Sequence, residues 1–311
     1  MEKKYIEKRI VPTNKDGFFV KLISTLRIFR FIDAAVFTGV PLMGIIVSIY
    51  HLHILHINLL STFLYISIIY LLAIHVFSIN DWADYNKDIN DLNKRKESTQ
   101  KKKITLKQYL LTAIITGIIP LCLLLTFSIT KFIIGFALVL LSLIYSTNLL
   151  SLHGKSIPAF ASLLHILGGM LAFLLGYLYF GNFNIDAVLT GSMFGIFLSA
   201  GHIFQEIRDF KEDRKNNIMT IANKFGKKTS ALIGFSLMFC AHIIFQYIID
   251  RQFLPDFSIY NWITFALVAV FIGFAIIKGL TYHSIKQLRL RYRIIYSLFG
   301  LYILSKIIIH I

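Results

Sequence analysis

Proline is scarce in this chain, five in 311 residues, and cysteine scarcer, with two. Two cysteines cannot build a disulfide framework. Cys122 and Cys240 both fall inside apolar stretches, where a thiol serves as a small packing residue. Acid is short too, with 16 Asp+Glu against 32 Lys+Arg and a net charge of +16. Such an excess can mark a nucleic-acid binder. Charged residues are only 15% of the chain, however, and 56% is hydrophobic, with a mean hydropathy of +0.69. A soluble domain holds about 45–50% apolar residues. The bases gather in connections between long apolar runs, which excludes nucleic acid as the expected partner and makes the lipid bilayer the first one. The first run begins near Phe31 without a small-residue cleavage site, so it reads as a retained helix and not a signal peptide.

Runs of this length cross a hydrocarbon core of about 30 Å as helices. Strands of a transmembrane barrel would instead alternate polar and apolar residues. Nine spans are expected, near 31–50, 58–79, 106–128, 131–150, 157–180, 186–204, 229–249, 259–280 and 293–310. Threading them through a membrane puts 29 of the 32 Lys+Arg on one side and 3 on the other. By the positive-inside rule that side is cytoplasmic, with the N-terminus inside and the C-terminus outside. The fold class expected is therefore all-α, a polytopic bundle of about nine transmembrane helices. Residues 1–30 read as a charged interfacial segment and 31–311 as a single transmembrane domain.

Against this background two acidic nonapeptides stand out. "NDWADYNKD" runs from Asn80 to Asp88, and "QEIRDFKED" from Gln205 to Asp213. At a constant offset of 125 residues they align Asn80 with Gln205, Asp81 with Glu206, Asp84 with Asp209, Tyr85 with Phe210, and Asp88 with Asp213. Each follows an apolar span on the same side, four spans apart, so the chain reads as two related four-helix halves plus a ninth helix. The i, i+4, i+8 spacing puts each set on one face wherever the helix continues. Carboxylates on one face repel unless a cation lies between them. Mg²⁺ takes such oxygens, using one or two carboxylates together with phosphate oxygens. Lys94, Arg95 and Arg208 are nearby cations suited to phosphate. A solvated acidic loop is the bland alternative, but the duplication at one offset argues against it. An EF-hand is excluded, because the stretch from Asp81 lacks its Gly and its bidentate Glu. His75, His165 and His202 fall inside spans, where a histidine is a functional candidate or a hydrogen-bonded bridge between helices. The pair Gly168-Gly169 reads as a close-packing point.

These residues carry a resemblance. "NDWADYNKDIND" is similar to the NDxxDxxxD motif of the UbiA superfamily of intramembrane prenyltransferases, and "DFKED" to that family's DxxxD motif. The stretch after it, "DRKNNIMTIANKFGKKTS", and the Tyr145-Ser146 pair are also family-like. The sequence departs in places. Asn217 stands where the family has Gly, and Asn also accepts the left-handed turn. The loop after Tyr145 lacks the family's Pro and Arg, His153 takes its Lys position, and Lys155 follows two residues on. The resemblance implies that Asn80, Asp84, Asp88, Asp209 and Asp213 hold Mg²⁺. Asp84, Asp88, Asp209 and Asp213 would be the catalytic acids, and Lys94, Arg95, Arg208, Tyr145 and Lys155 the grip on the diphosphate, with Asp81, Gln205 and Glu206 as secondary motif residues. The implied reaction is transfer of a prenyl group from an allylic prenyl diphosphate to a lipophilic or aromatic acceptor within the membrane of a bacterial or archaeal cell. A quinone precursor is the favoured acceptor, with a chlorin or a glycerol phosphate open. A membrane terpene cyclase of the same fold and an ion-binding transporter are the competing readings.

Overall fold

The computed structural model describes residues 30–54, 56–85, 105–147 and 154–310. They form helices α1 (Phe31–Phe37), α2 (Gly39–His51), α3 (Leu59–Ala83), α4 (Leu106–Phe127), α5 (Ile129–Ser146), α6 (Phe160–Tyr177), α7 (Ile185–Lys215), α8 (Ile221–Phe225), α9 (Lys227–Asp250), α10 (Ser258–Ile277) and α11 (Tyr282–His310). Polar caps start several of them. The side chains of Asn58, Thr105, Ser128 and Asn184 each accept a backbone N–H from the first turn of α3, α4, α5 and α7, and Thr105 with Gln108 completes a capping box. Eight of the long helices are apolar, and together they bury one face and leave another, such as Leu111, Ile115 and Ile118 of α4, turned outward. In a membrane that outward face meets lipid, so burial inside the bundle does not have to account for all of the apolar residues.

Among the described residues eight helices are long and apolar enough to cross a membrane, with α1 and α2 acting as one span. The ninth expected span is present as a helix but is not among those eight. α11 begins at Tyr282, and its first turns carry Lys286, Arg289, Arg291 and Arg293. α7 also outruns its expected span, continuing to Lys215.

α6 is central, packing on α2, α5 and α7. α3 packs on α4 and α5, α7 on α9 and α11, and α11 returns to α2, closing the bundle. The closest approaches use glycine. A Cβ on Gly176 of α6 would stand 1.8 Å from the Pro41 carbonyl oxygen of α2, and one on Gly44 would stand 2.2 Å from the Phe173 carbonyl oxygen. On the opposite flank of α6, a Cβ on Gly169 would fall 2.5 Å from the Gly195 Cα of α7, while Gly168 faces open space. Small residues let backbones touch in this way where no hydrophobic drive separates helix from lipid. His75 bridges helices: its Nδ1 lies 2.7 Å from the Ala113 carbonyl oxygen of α4 and its Nε2 lies 3.1 Å from Ser142 Oγ of α5. A second buried network holds α9 to α10 and α11, where His242 meets Asn261 Oδ1 at 2.5 Å and the Tyr296 hydroxyl at 3.2 Å.

Candidate active site

The two motifs meet at one end of the bundle. α3 stops at Ala83 and Asp84 is its C-cap, so the first motif sits where the helix ends. The second motif lies on an unbroken helix, with Gln205, Asp209 and Asp213 on one face of α7. That helix ends in a left-handed turn at Asn217 (φ 55°), with the Ile218 N–H donating to the Asp213 carbonyl oxygen at 2.9 Å. Asn217 thus accepts the left-handed turn, and the closure fixes the turn that carries Asp213.

Tyr145, in the last turn of α5, lies within electrostatic reach of Asp84, Glu206, Asp209 and Asp213. Acids from α3 and α7 thus converge on one phenol. Cations attend them. Lys155 Nζ contacts Asp84 Oδ1, and Arg208 grips Asp209 with Nε and Nη2 at 2.7 and 2.6 Å. Lys155 reaches Asp84 because the 3-10 turn Gly154–Ser156 lies hard against the end of α5. A Cβ on Gly154 would stand 2.8 Å from the Ile144 carbonyl oxygen and 3.0 Å from Tyr145 Cα. The loop that departs from the family pattern still delivers a lysine to the acids.

Two motif residues have other duties. Asp81 is 1% exposed and receives Arg30 through two hydrogen bonds of 2.9 and 2.8 Å, which tie the end of α3 to the start of α1. Glu206, 3% exposed, accepts the Ala222 N–H at 3.3 Å and so anchors the short α8 to α7. The repeated Asp81/Glu206 position thus makes a buried packing contact on both sides. Asn80 stands one turn before Asp84 on α3. Asp88, Lys94, Arg95 and His153 lie outside the described residues.

His165 and His202, functional candidates by their place inside spans, border the site, and so does Arg289, which was not singled out from the sequence. His165 of α6 stacks on His202 of α7 with ring centroids 4.0 Å apart, and Tyr145 meets His165 edge-on at 5.0 Å. His202 Nε2 lies 3.1 Å from Glu206 Oε1. Arg289 of α11 donates from Nη2 to Gln205 Oε1 at 3.0 Å. In the sequence Arg289 belongs to a basic run that reads as orientation charge. The available signal is its register: Ile285, Leu288, Arg289 and Tyr292 follow i, i+3, i+4, i+7, and all four are buried.

Asn80, Asp84, Asp209 and Asp213 supply hard oxygen donors of the kind a divalent cation takes. Among the described residues no three His, Cys, Asp or Glu side chains form a ready-made cage.

The UbiA prenyltransferase family matches residues 38–298 of this chain. No curated protein matches it in sequence. Solved structures share its fold. A digeranylgeranylglyceryl phosphate synthase is 19% identical, with a TM-score of 0.69 over 93% of this chain and 99% of that one. A UbiA homologue from Archaeoglobus fulgidus bound to GPP and Mg²⁺ is 16% identical, with a TM-score of 0.70 over 91% and 99%. An apo UbiA homologue from Aeropyrum pernix K1 is 15% identical, with a TM-score of 0.65 over 88% and 98%. Together with the paired acidic motifs and the helical bundle around them, the match places this chain in the UbiA prenyltransferase family.

Proposed function

We propose that this membrane protein transfers a prenyl group from an allylic prenyl diphosphate to an acceptor inside the bilayer, with the acid end of the bundle as the catalytic end and facing the cytoplasm. The observation that carries this reading is the convergence of Asp84, Asp209 and Asp213 from two helices on Tyr145, flanked by Lys155 and Arg208. Asn80, Asp84, Asp209 and Asp213, with Asp88 from the adjoining segment, would hold Mg²⁺. When bound, the ion neutralises the diphosphate and so favours its departure.

The chain's own groups do the rest. Lys155 and Arg208, parked on Asp84 and Asp209, turn to the phosphate oxygens once those carboxylates are engaged elsewhere. Their charge acts where negative charge builds up as the C–O bond breaks, which is the interaction that raises the rate. The Tyr145, His165 and His202 rings stand beside the acids on the bundle side, where aromatic faces can stabilise the allylic cation. The acceptor then attacks C1. Its hydrocarbon surroundings exclude the water that would quench the cation. A quinone-precursor aromatic is our favoured acceptor.

The experiment is to incubate purified protein with radiolabelled prenyl diphosphates, with and without a panel of aromatic and glycerol phosphate acceptors, and to identify the extracted products. Prenylated acceptor is the expected result. A cyclised hydrocarbon formed without acceptor would assign terpene cyclase activity instead. No turnover of any prenyl diphosphate in the presence of Mg²⁺ would refute the reading.

A further inference from the structure

Lys131 is one of three bases at the end of the bundle opposite the acids, with Arg251 and Lys306, and it faces inward. On α5 it heads the stripe that continues through Ile134, Gly135, Leu138 and Ser142, at i, i+3, i+4, i+7 and i+11, of which Ile134, Gly135 and Ser142 are buried. Arg251 grips Asp186, and Lys306 lies over a single ring, that of Tyr302. Lys131 has no carboxylate. None of the ion pairs among the described residues includes it, and no hydrogen bond among them runs from its amine. Its Nζ instead stands 5.9 Å from each of three ring centroids, those of Tyr65 of α3, Phe127 of α4 and Tyr179 just after α6. The rings brace one another. Tyr65 lies 4.5 Å from Tyr179 and 5.1 Å from Phe127, and its hydroxyl donates to the Leu175 carbonyl oxygen at 2.6 Å. A lysine at a helix end ordinarily runs its stem outward to water. Here three rings hold the ammonium in place, and rings carry no net charge, so the box is left without a counterion.

The distance to the acids sets the depth of this amine in the membrane. Tyr65 precedes Asp84 by about 28 Å along α3, close to the roughly 30 Å of a hydrocarbon core. With the acids at one headgroup layer, the box lies at the other. A donor and an apolar flank lie beside it. Thr62 Oγ1 donates to the Tyr179 hydroxyl at 3.2 Å, and that hydroxyl donates to Ser61 Oγ at 2.9 Å. The chain of hydroxyls thus ends on a Ser61 proton that no described group accepts. Leu59, Leu60 and Phe63, from the same turns of α3, and Ile129 of α5 are exposed. An amine and a hydroxyl at headgroup depth, above exposed apolar side chains, complement a phospholipid. We propose that Lys131 and Ser61 bind the phosphate of an anionic phospholipid in the leaflet opposite the acids, with its acyl chains against Leu60 and Phe63. A zwitterionic lipid would bring its own ammonium to a box that already holds one, so a headgroup of net negative charge fits. The site is remote from the acids and stands whether or not the chain transfers prenyl groups.

The test uses the full chain in neutral detergent with a phosphatidylglycerol that carries a photoreactive diazirine on its headgroup. Irradiation followed by peptide mass spectrometry should find label in segments 59–65 and 127–133. Unlabelled phosphatidylglycerol should compete for both segments. Phosphatidylcholine should compete about fivefold less well, the contribution of one base at an anionic surface. Lys131→Gln should weaken labelling of the two segments by a similar factor, Lys131→Arg should retain it, and Lys306→Gln should leave it unchanged. Label at the acid end, where most of the bases lie, should be the same in all four proteins and serves as the internal standard. Absence of label from the two segments in the wild type, equal label in Lys131→Gln, or equal competition by phosphatidylcholine would overturn the proposal. Inorganic phosphate that competes as well as the lipid would also overturn it, because the ligand would then be the free anion. Should Lys131→Gln not fold, the wild type with its competitors still decides the matter.

Discussion

Asp81 and Asp84 are three residues apart in one motif, and neutralising each should damage a different property. The Asp81 side chain is 2% exposed and holds Arg30, itself 33% exposed, through two short hydrogen bonds. Removing one partner of a fully buried ion pair costs about 3–5 kcal/mol. Here Asn keeps one acceptor oxygen and water can reach the guanidinium, so Asp81→Asn should cost about 1–2 kcal/mol of stability. It touches nothing made only in the transition state, so the turnover of folded protein should stay within about threefold of wild type. Asp84 is different. It is more open, at 19%, meets Lys155, and stands with Asp209 and Asp213 around Tyr145. Asp84→Asn should lower the rate about 10²–10³-fold, equivalent to roughly 3–4 kcal/mol of transition-state stabilisation. Its stability should shift by under about 1 kcal/mol, because relieving repulsion among the acids offsets the weakened Lys155 contact. Unfolding in mixed micelles gives the stabilities. Release of diphosphate from geranyl diphosphate at saturating Mg²⁺, measured well below the unfolding midpoint, gives the rates. An Asp81→Asn protein as inactive as Asp84→Asn would refute this division and put Asp81 in the chemistry.

Other outcomes follow from the same geometry. Arg30→Ala should destabilise more than Asp81→Ala, since the first leaves a buried carboxylate behind and the second leaves a guanidinium that can turn to water; equal unfolding midpoints would contradict this. Asp209→Asn should resemble Asp84→Asn in rate, and chelation of Mg²⁺ should stop diphosphate release without lowering the unfolding midpoint by more than a few degrees. Gly176→Ala should destabilise by about 1–3 kcal/mol or more, because its Cβ would overlap the Pro41 carbonyl, whereas Gly168→Ala should be neutral; paired unfolding curves decide it.

Much of this was legible in the chain itself because two simple signals repeat. Apolar runs gave the helices to within a few residues, except where a helix continues as polar sequence beyond its apolar run, as α7 does to Lys215 and α11 does before residue 293. The constant offset of the acidic motifs pointed to a shared site, since two sets of carboxylates are hard to explain separately. What the repeat could not convey was the different fate of equivalent positions. Asp81 and Glu206 look like ligands by type, yet burial commits one to Arg30 and the other to the backbone of α8. Gly168-Gly169 read as one packing point, but a helix face admits only one of two neighbours, and it is Gly169 that meets Gly195. Arg289 was hidden by composition: four bases in one helical stretch look alike until the fold turns one inward and leaves Lys286, Arg291 and Arg293 outside.

The glycine contacts of α6 bear on how a lipid-sized molecule gets in. Backbone resting on backbone at Gly176–Pro41 and Gly169–Gly195 has no rotamers to rearrange, so the seam joining α2, α6 and α7 can neither swell nor slide without a main-chain clash. Breathing is left to the perimeter, where α4, α5, α10 and α11 meet their neighbours through side chains that can repack. A substrate arriving from the membrane would therefore enter sideways through that outer wall, and the central seam would hold the second acid set, on α7, in place while the wall opens and shuts.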